Sequence, residues 1–308
     1  MLCAGGYDLS GTVFSVNHSE RVNGGAAELT FSMPKSVSNK VENGDEVIFS
    51  QGGEKLFCGY VFAVEETERL TKVTALDSLR YLSSVMPMQR GEETAGIFTS
   101  RAVMTAGGRA MAGVIEDNGV LLEGKRFDDT SLIKAIYRSI SESEEAGGER
   151  LILRDEGGKI CLRRESSLIL PLVLGEESLA TGYSRRHEIA ESAINYVKIT
   201  AENKAAGMKM AAIARNDSAI AKWGLISKTL RGRGEPEKLL ERAGNILAGS
   251  CRETERITVS ARGQASVRAG CLLTLALPDE KSFLARVLTC CHMIKGENHI
   301  MRLELERI

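Results

Sequence analysis

Period-two alternation is the property that most narrows the folds open to this chain. Leu29, Phe31 and Met33 alternate with Thr30 and Ser32, and Val47 and Phe49 resume the pattern after the turn Asn43-Gly44-Asp45. Successive side chains of a strand point to opposite faces, so such runs settle only where one face is buried by other strands. Lys55 to Glu65 is the longest run, and Gly59 in its middle predicts a bulge or bend of the kind that closes a small barrel. Leu70 to Ala75 follows the charged turn Glu66 to Arg69. The 31 glycines against 5 prolines suit a chain with many tight turns. From Asp77 the period becomes helical, with Leu79 and Leu82 three apart, until Pro87. Residues 1–84 are therefore expected to form a first β-barrel domain.

Residues 85–182 read as an α+β middle module. A helix is expected from an N-cap at Asp129, with Leu132, Ile133, Ile136, Tyr137 and Ile140 on one stripe, ending at Gly147-Gly148. A hairpin follows, Leu151 to Leu153 and Ile160 to Leu162 flanking the turn Asp155-Glu156-Gly157-Gly158. From Tyr183 strands return: Tyr196 to Ile199, Met208 to Ala214, Ile257 to Ala261, Cys271 to Leu277, then Ser282 to Ile294 and His299 to Glu306 as a long hairpin. A helix from Pro236, striped with Leu239, Leu240, Ala243, Ile246 and Leu247, interrupts them. Residues 183–308 are expected to be a second β-barrel with a helical insertion near 235–249. The expected class is mainly β with α+β: two small barrels flanking a mixed α/β middle module, and 308 residues suffice for such a division.

Charge limits the partners. Forty basic and 41 acidic residues leave a net charge of −1, so neither nucleic acid binding nor a basic membrane-binding face is expected. No apolar run approaches the roughly 20 residues that cross a bilayer; the longest, Leu168 to Leu174, is broken by Pro171, and no membrane insertion is expected. Met1-Leu2-Cys3-Ala4 lacks the basic and apolar regions of an export signal. Seven cysteines, with Cys290 and Cys291 adjacent and no C-x-x-C, fit reduced thiols in a reducing cytosol.

Catalytic apparatus is scarce. Gly119 to Lys125 has P-loop spacing, but Arg126 stands where Ser or Thr must hold Mg²⁺, and the apolar Val120 to Leu122 reads as a strand between turns. Cys290, His292 and His299 are the candidate metal ligands, because i and i+2 share a strand face and a turn at Lys295 to Asn298 brings His299 across. The competing reading is a cross-strand His pair beside a buried thiol, and it is preferred. No G-x-S-x-G and no H-E-x-x-H occurs. The acidic groups Glu65-Glu66, Glu92-Glu93 and Glu142, Glu144, Glu145 read as solvated charges rather than a glycosidase pair. Arg231-Gly232-Arg233-Gly234 and Arg185-Arg186 lack the aromatics of a nucleic-acid surface. Trp223, the only tryptophan, reads as a packing anchor. No cofactor is implied, and no enzyme.

In order along the chain stand Asn43-Gly44-Asp45-Glu46-Val47, Leu56-Phe57-Cys58-Gly59-Tyr60-Val61 and Val73-Thr74-Ala75-Leu76-Asp77-Ser78-Leu79-Arg80-Tyr81-Leu82. Asn195-Tyr196-Val197, Trp223-Gly224, Val267-Arg268-Ala269-Gly270, and His292 with His299-Ile300-Met301-Arg302-Leu303-Glu304-Leu305 follow. This succession resembles the XkdQ/YqbQ-type baseplate hub proteins of contractile phage tails and phage-tail-like bacteriocins over nearly the whole chain. Cys271 departs from it, standing where an acidic residue is common. The resemblance implies two tail-tube-like barrels per chain and a homotrimer that imitates a sixfold ring. Such a hub is a symmetry adaptor between the tail tube protein and a threefold central spike protein, with baseplate wedge and LysM-type tail proteins as further partners. It is assembled in the bacterial cytoplasm and carried in the baseplate of the released particle. The residues that carry the pattern, with structural roles implied, are Gly44, Asp45, Phe57, Gly59, Asp77, Trp223, Gly224, Arg268, Gly270, His292, His299 and Met301. Two other functions remain as alternatives, a tail-associated cell-wall hydrolase and an oligonucleotide-binding barrel protein.

Overall fold

The alternating runs pair into one large, almost wholly antiparallel sheet of 13 strands. The computed structural model describes residues 1–175, 178–189, 193–203, 208–232, 235–278 and 280–308; Arg233 and Gly234 of the basic patch lie outside the described residues. The N-terminal part supplies β1 (Leu2–Ala4), β2 (Tyr7–Asp8), β3 (Ser15–Arg21), β4 (Glu28–Pro34), β5 (Glu46–Gln51), β6 (Glu54–Glu66) and β7 (Leu70–Asp77). They lie side by side in the order β3-β4-β7-β6-β5-β1-β2. The residues that the alternation selects point inward: Leu29, Phe31, Met33, Val47, Phe49, Val73 and Ala75 are all buried in one cluster. Gly44 turns the chain into β5 at φ 93°, in the left-handed region that glycine enters freely. Asp45 steadies the same turn by accepting the Glu42 N–H at 2.8 Å.

Gly59 departs from expectation. The irregularity in the β6–β7 pairing falls between Val61 and Ala63. Gly59 is a point of close approach instead: a Cβ there would lie 2.3 Å from the Leu76 carbonyl oxygen and 2.6 Å from Cζ of Phe57. After β7 a short 3-10 helix, Ser78–Ser83, is capped by Asp77, which accepts the Leu79 N–H.

The middle of the chain forms β8 (Met88–Arg90), α1 (Ala95–Ala106), β9 (Ala112–Ile115), β10 (Lys125–Phe127), α2 (Leu132–Glu145), β11 (Leu151–Asp155) and β12 (Ile160–Arg164). These pack around Phe98, Phe127, Ile136, Leu151 and Leu162. The α2 stripe is as expected, but its N-cap is Ser131 rather than Asp129; a bridge from Ser131 to Val85 holds Ser131 extended, so the helix cannot start earlier. Helix α1 buries the stripe Ala95, Phe98, Thr99, Ala102 and Val103, but its exposed side carries the apolar Ile97 and Met104, which blurs the period in sequence. Val120 to Leu122 makes one isolated bridge, Leu122 to Glu93, and no strand. The hairpin turn forms with Gly157 at φ 66° and Gly158 at φ 92°.

Glu65 and Glu92 are exposed, as expected, but Glu142 and Glu145 are used in ion pairs. Glu142 meets Arg90 at 2.6 Å, Lys125 at 2.5 Å and Arg138 at 3.0 Å, and Glu145 meets Lys228 at 3.2 Å and Arg242 at 2.5 Å. Burial alone would raise the Glu142 carboxyl, but hydrogen bonds from Lys125, Arg90 and Arg138 outweigh it and hold it at about 2. Arg185 pairs with Glu280 and Arg186 with Glu188.

Beyond the middle, β13 (Ile169–Gly175), β14 (Ala180–Glu188), β18 (Thr254–Arg262), β19 (Leu272–Ala276), β20 (Phe283–Lys295) and β21 (Asn298–Arg307) complete the large sheet. The order is β14-β18-β21-β20, with β19 also on β20 and β13 beside β19. Inward residues Val259, Leu273, Leu275, Val287, Leu303 and Leu305 form a second sheet core. The expected long hairpin is present, turning between Lys295 and Asn298.

The helix expected as an insertion brings strands of its own. Between β14 and β18 lie β15 (Tyr196–Asn203), β16 (Met208–Arg215), α3 (Asp217–Trp223), β17 (Ser227–Arg231) and α4 (Pro236–Ser250). The three strands make a separate sheet, β16-β15-β17, and Val197 and Ile199 pack under Leu239, Ala243 and Ile246 of α4. Tyr196 to Ile199 and Met208 to Ala214 therefore do not join the large sheet. Leu240 is exposed and falls off the α4 stripe.

Candidate functional site

β20 serves two partners along one edge. Residues Phe283 to Arg286 pair with β19, and Thr289 to Ile294 pair with β3. This second pairing joins the N-terminal and C-terminal parts of the sheet. Its register sets His18 opposite His292 and Glu20 opposite Cys290. Period-two geometry then puts Val16, His18 and Glu20 on one face of β3, and Cys290, His292 and Ile294 on one face of β20. A polar seam is thereby enclosed between two apolar cores.

Arg268, in the loop between β18 and β19, ties three segments together. Its Nε donates to Glu20 Oε1 at 3.1 Å and its Nη2 to Oε2 at 2.7 Å, while Nη1 donates to the Asp155 carbonyl at 2.8 Å. The Ala269 N–H adds a fourth bond, to Glu20 Oε1 at 2.8 Å. Burial would raise the Glu20 carboxyl, but the Arg268 charge outweighs it and holds the group at about 2. Burial opposes the Arg268 cation in turn, and Glu20 more than restores it. A bidentate pair of this kind orients as well as neutralises.

Asp77 and Asp155 complete the junction. Asp77 accepts the Ala27 and Leu79 N–H groups, each at 3.0 Å, and Asp155 accepts the Gly158 N–H at 2.7 Å. Burial, then the neighbouring Asp155, push the Asp77 carboxyl well above its usual range; burial likewise raises Asp155. Gly270, at φ 86°, brings its loop so near the β11–β12 hairpin that a Cβ would lie 2.6 Å from Ile152 Cγ2. Arg154 of the hairpin reaches Cys271 Sγ at 3.6 Å. Asn23, at φ 46°, acts as one more rung on β11: its amide donates to the Leu151 carbonyl at 3.0 Å and accepts the Leu153 N–H at 2.8 Å. Asn23→Asp removes the donor and should cost about 1–3 kcal/mol, read as a lower urea midpoint at pH 7.

The candidate ligands do converge. Cys290 Sγ lies 3.2 Å from His292 Nε2, and His299 Nε2 lies 3.0 Å from His292 Nδ1. The contacts use opposite nitrogens of one ring, so this arrangement offers no point that all three could coordinate. It is satisfied instead by hydrogen bonds, with the Val267 carbonyl accepting from His292 Nε2 at 2.9 Å and from the Cys290 thiol at 3.4 Å. His292 Nδ1 is then free to accept from His299. Among the described residues, no cluster of three or more His, Cys, Asp or Glu is arranged to hold an ion. Burial pushes the Cys290 thiol well above its ordinary value, which keeps it protonated and unreactive.

His18 is the residue that the sequence reading missed. It is fully buried, its ring edge-on to Phe57 at 5.7 Å and stacked on His292 at 5.9 Å, and neither ring nitrogen has a hydrogen-bond partner among the described residues. Burial pushes its imidazole down to about 3 and that of His292 to about 4. The available signal was His18 and Glu20 at positions that alternate in step with the inward Val16 of β3. Met301, opposite His292 in the β20–β21 register, is buried beneath this row. Trp223 ends helix α3 and Gly224 caps it beside the inserted sheet, where the buried Asn195 donates to the Gly224 carbonyl at 2.6 Å. Beyond His299 opens a cleft of about 720 Å³ lined in part by Gln51, Glu54, Arg262 and Glu297. No helix among the described residues is long and apolar enough to cross a membrane.

Residues 16–306 match the family described as YQBQ-like. Two proteins of Bacillus subtilis (strain 168), YqbQ and the phage-like element PBSX protein XkdQ, are each 26% identical over 86% of this chain and 82% of their own length. Two solved structures share the fold. The 43 kDa tail protein of prophage MuSo2 from Shewanella oneidensis aligns with a TM-score of 0.71 at 13% identity, covering 99% of this chain and 97% of that one. A tail protein from Neisseria meningitidis MC58 aligns with a TM-score of 0.74 at 11% identity, covering 99% and 95%.

Proposed function

Because the chain belongs to the YQBQ-like family, we propose that it is a structural component of a phage-type tail, and specifically the baseplate hub of a contractile one. In this reading three copies join the sixfold tail tube to the threefold central spike. The observation that carries it is the β3–β20 seam: two sheet halves, each with its own buried core, sit edge to edge within one chain. Each half acts as a tail-tube-like barrel, so three chains present six similar units. The large sheet ends in β14 at one side and β2 at the other, and β14 is exposed along nearly its whole length. An unpaired edge is a template for another strand, and a head-to-tail contact that closes gives a ring. The middle module, with α1 and α2, faces outward toward baseplate wedge and LysM-type proteins, and assembly takes place in the bacterial cytoplasm.

Geometry lends no support to a hydrolase. The Cys290–His292 pair is sealed from solvent, and the Glu142 and Glu145 carboxylates are held in ion pairs. The hub reading is tested by native mass measurement of the purified chain, alone and with its spike. A species three times the 33.4 kDa chain mass is expected; a strict monomer even with the spike present would end the adaptor reading.

A further inference from the structure

The row His299–His292–His18 crosses the seam from the open cleft to its sealed interior. His299 is half-buried at the cleft, His292 is enclosed and linked to it at 3.0 Å, and His18 stacks on His292 from the other half of the sheet. These rings sit where β3 meets β20, in the pairing that unites the two halves. We infer that this seam is a proton-operated latch, closed while the imidazoles are neutral and loosened when protons entering from the cleft charge them.

The surroundings give a charged ring nowhere to go. On β3 the facing group is Glu20, but both its oxygens are taken by Arg268 and the Ala269 N–H. From the β18–β19 loop comes the Arg268 cation, and from the β11–β12 hairpin the Arg154 cation, both repelling a charged His18. Asp155 on that hairpin and Asp77 at the end of β7 lie beyond Arg268 and act on it. β20 offers Cys290, a neutral thiol, and β6 offers only the Phe57 ring. A protonated His292 would donate from both nitrogens, so its Nδ1–H would make His299 give up its Nε2–H and accept there instead. His18 in its neutral form already leaves both nitrogens unpartnered, so a hydrophobic residue would pack there at less cost. A histidine at that point supplies responsiveness that leucine lacks.

Hydrogen–deuterium exchange of the full chain at pH 7.5 and pH 5.5, corrected for intrinsic rates, tests the latch. Each imidazole that charges on opening should multiply the opening equilibrium about tenfold between pH 7.5 and pH 5.5. Peptides covering β3 and the second half of β20 should therefore lose at least that much protection, while α2, β11 and β12 hold theirs. His18→Leu and His18→Phe should each remove about a tenfold share of the change. An even loss across the whole chain in the wild type would overturn the inference, as would an unaltered pH response in whichever variant folds.

Discussion

Arg268→Leu is expected to lower the free energy of unfolding by about 3–5 kcal/mol, because it leaves the Glu20 carboxylate buried without its counter-charge. Glu20 is about as enclosed as a core residue, at 7% side-chain exposure, and the three Arg268 bonds link β3, the β18–β19 loop and the β11–β12 hairpin. Losing them leaves the Asp155 carbonyl without this donor and Glu20 with only the Ala269 N–H. The double change Glu20→Leu/Arg268→Leu should recover much of the loss, since a buried ion pair is weakly stabilising against an apolar replacement of similar size. Urea unfolding followed by circular dichroism measures all three variants. A double variant as unstable as the sum of the two singles would show that the pair itself is not what holds the seam.

Acidity gives this prediction a sign. In the wild type the Glu20 carboxyl lies at about 2 when folded, below its ordinary 4.5. Its contribution is present above 4.5 and is lost as pH falls from there through about 2. In Arg268→Leu, burial acts on Glu20 without its main counter-charge and raises the group, so the variant is penalised most at neutral pH and least when Glu20 is protonated. The stability gap between the two proteins should therefore narrow between pH 7 and pH 4. A constant gap would mean that packing, not charge, accounts for the loss.

Gly59→Ala is the second large effect, expected at about 3 kcal/mol or more. The added methyl would sit 2.3 Å from the Leu76 carbonyl oxygen and 2.6 Å from Phe57 Cζ. Neither can yield cheaply. Leu76 is in the β7 ladder, paired with Tyr60 on one side and Glu28 on the other, and Phe57 is wedged against His18. Overpacking usually costs about 1–3 kcal/mol, and more where a paired backbone must shift. Gly11→Ala is the control: nothing lies within 4 Å of its would-be Cβ, and a change within about 0.5 kcal/mol is expected. Equal thermal midpoints for the two variants would refute the account of Gly59 as a close-contact residue.

These residues differ in how far they could be read from the chain. Leu29, Phe31 and Met33 announce their strand because alternation is a local property, set by the pleat over a few residues. The β20–β21 hairpin is equally local, since Gly296 supplies the turn at φ 59° and brings His299 beside His292. Pro236 opens α4 where its missing N–H is harmless. Helix α1 gives a weak signal because its exposed side mixes the apolar Ile97 and Met104 with Arg101 and Thr105, and the buried stripe has little contrast against it. Tyr196 to Ile199 looked like barrel strands because a strand's pattern says which face is buried and not which element buries it; here that element is α4.

Glu20 marks the boundary most clearly. Its charge and its inward position on β3 can be found in the string of residues. That Arg268, 248 positions later, stands against it cannot, because the pairing of β3 with β20 depends on how two sheet halves fit and not on any neighbour in sequence. Alternating strands and glycine turns answer to forces acting over a few residues, so the chain's order alone specified most of them here, whereas the α2 cap moved to Ser131 through its bridge to the distant Val85. The union of the two halves, the enclosure of His18 and the separate sheet under α4 arose from long-range packing, in which each surface is buried only by another that folding brings to it.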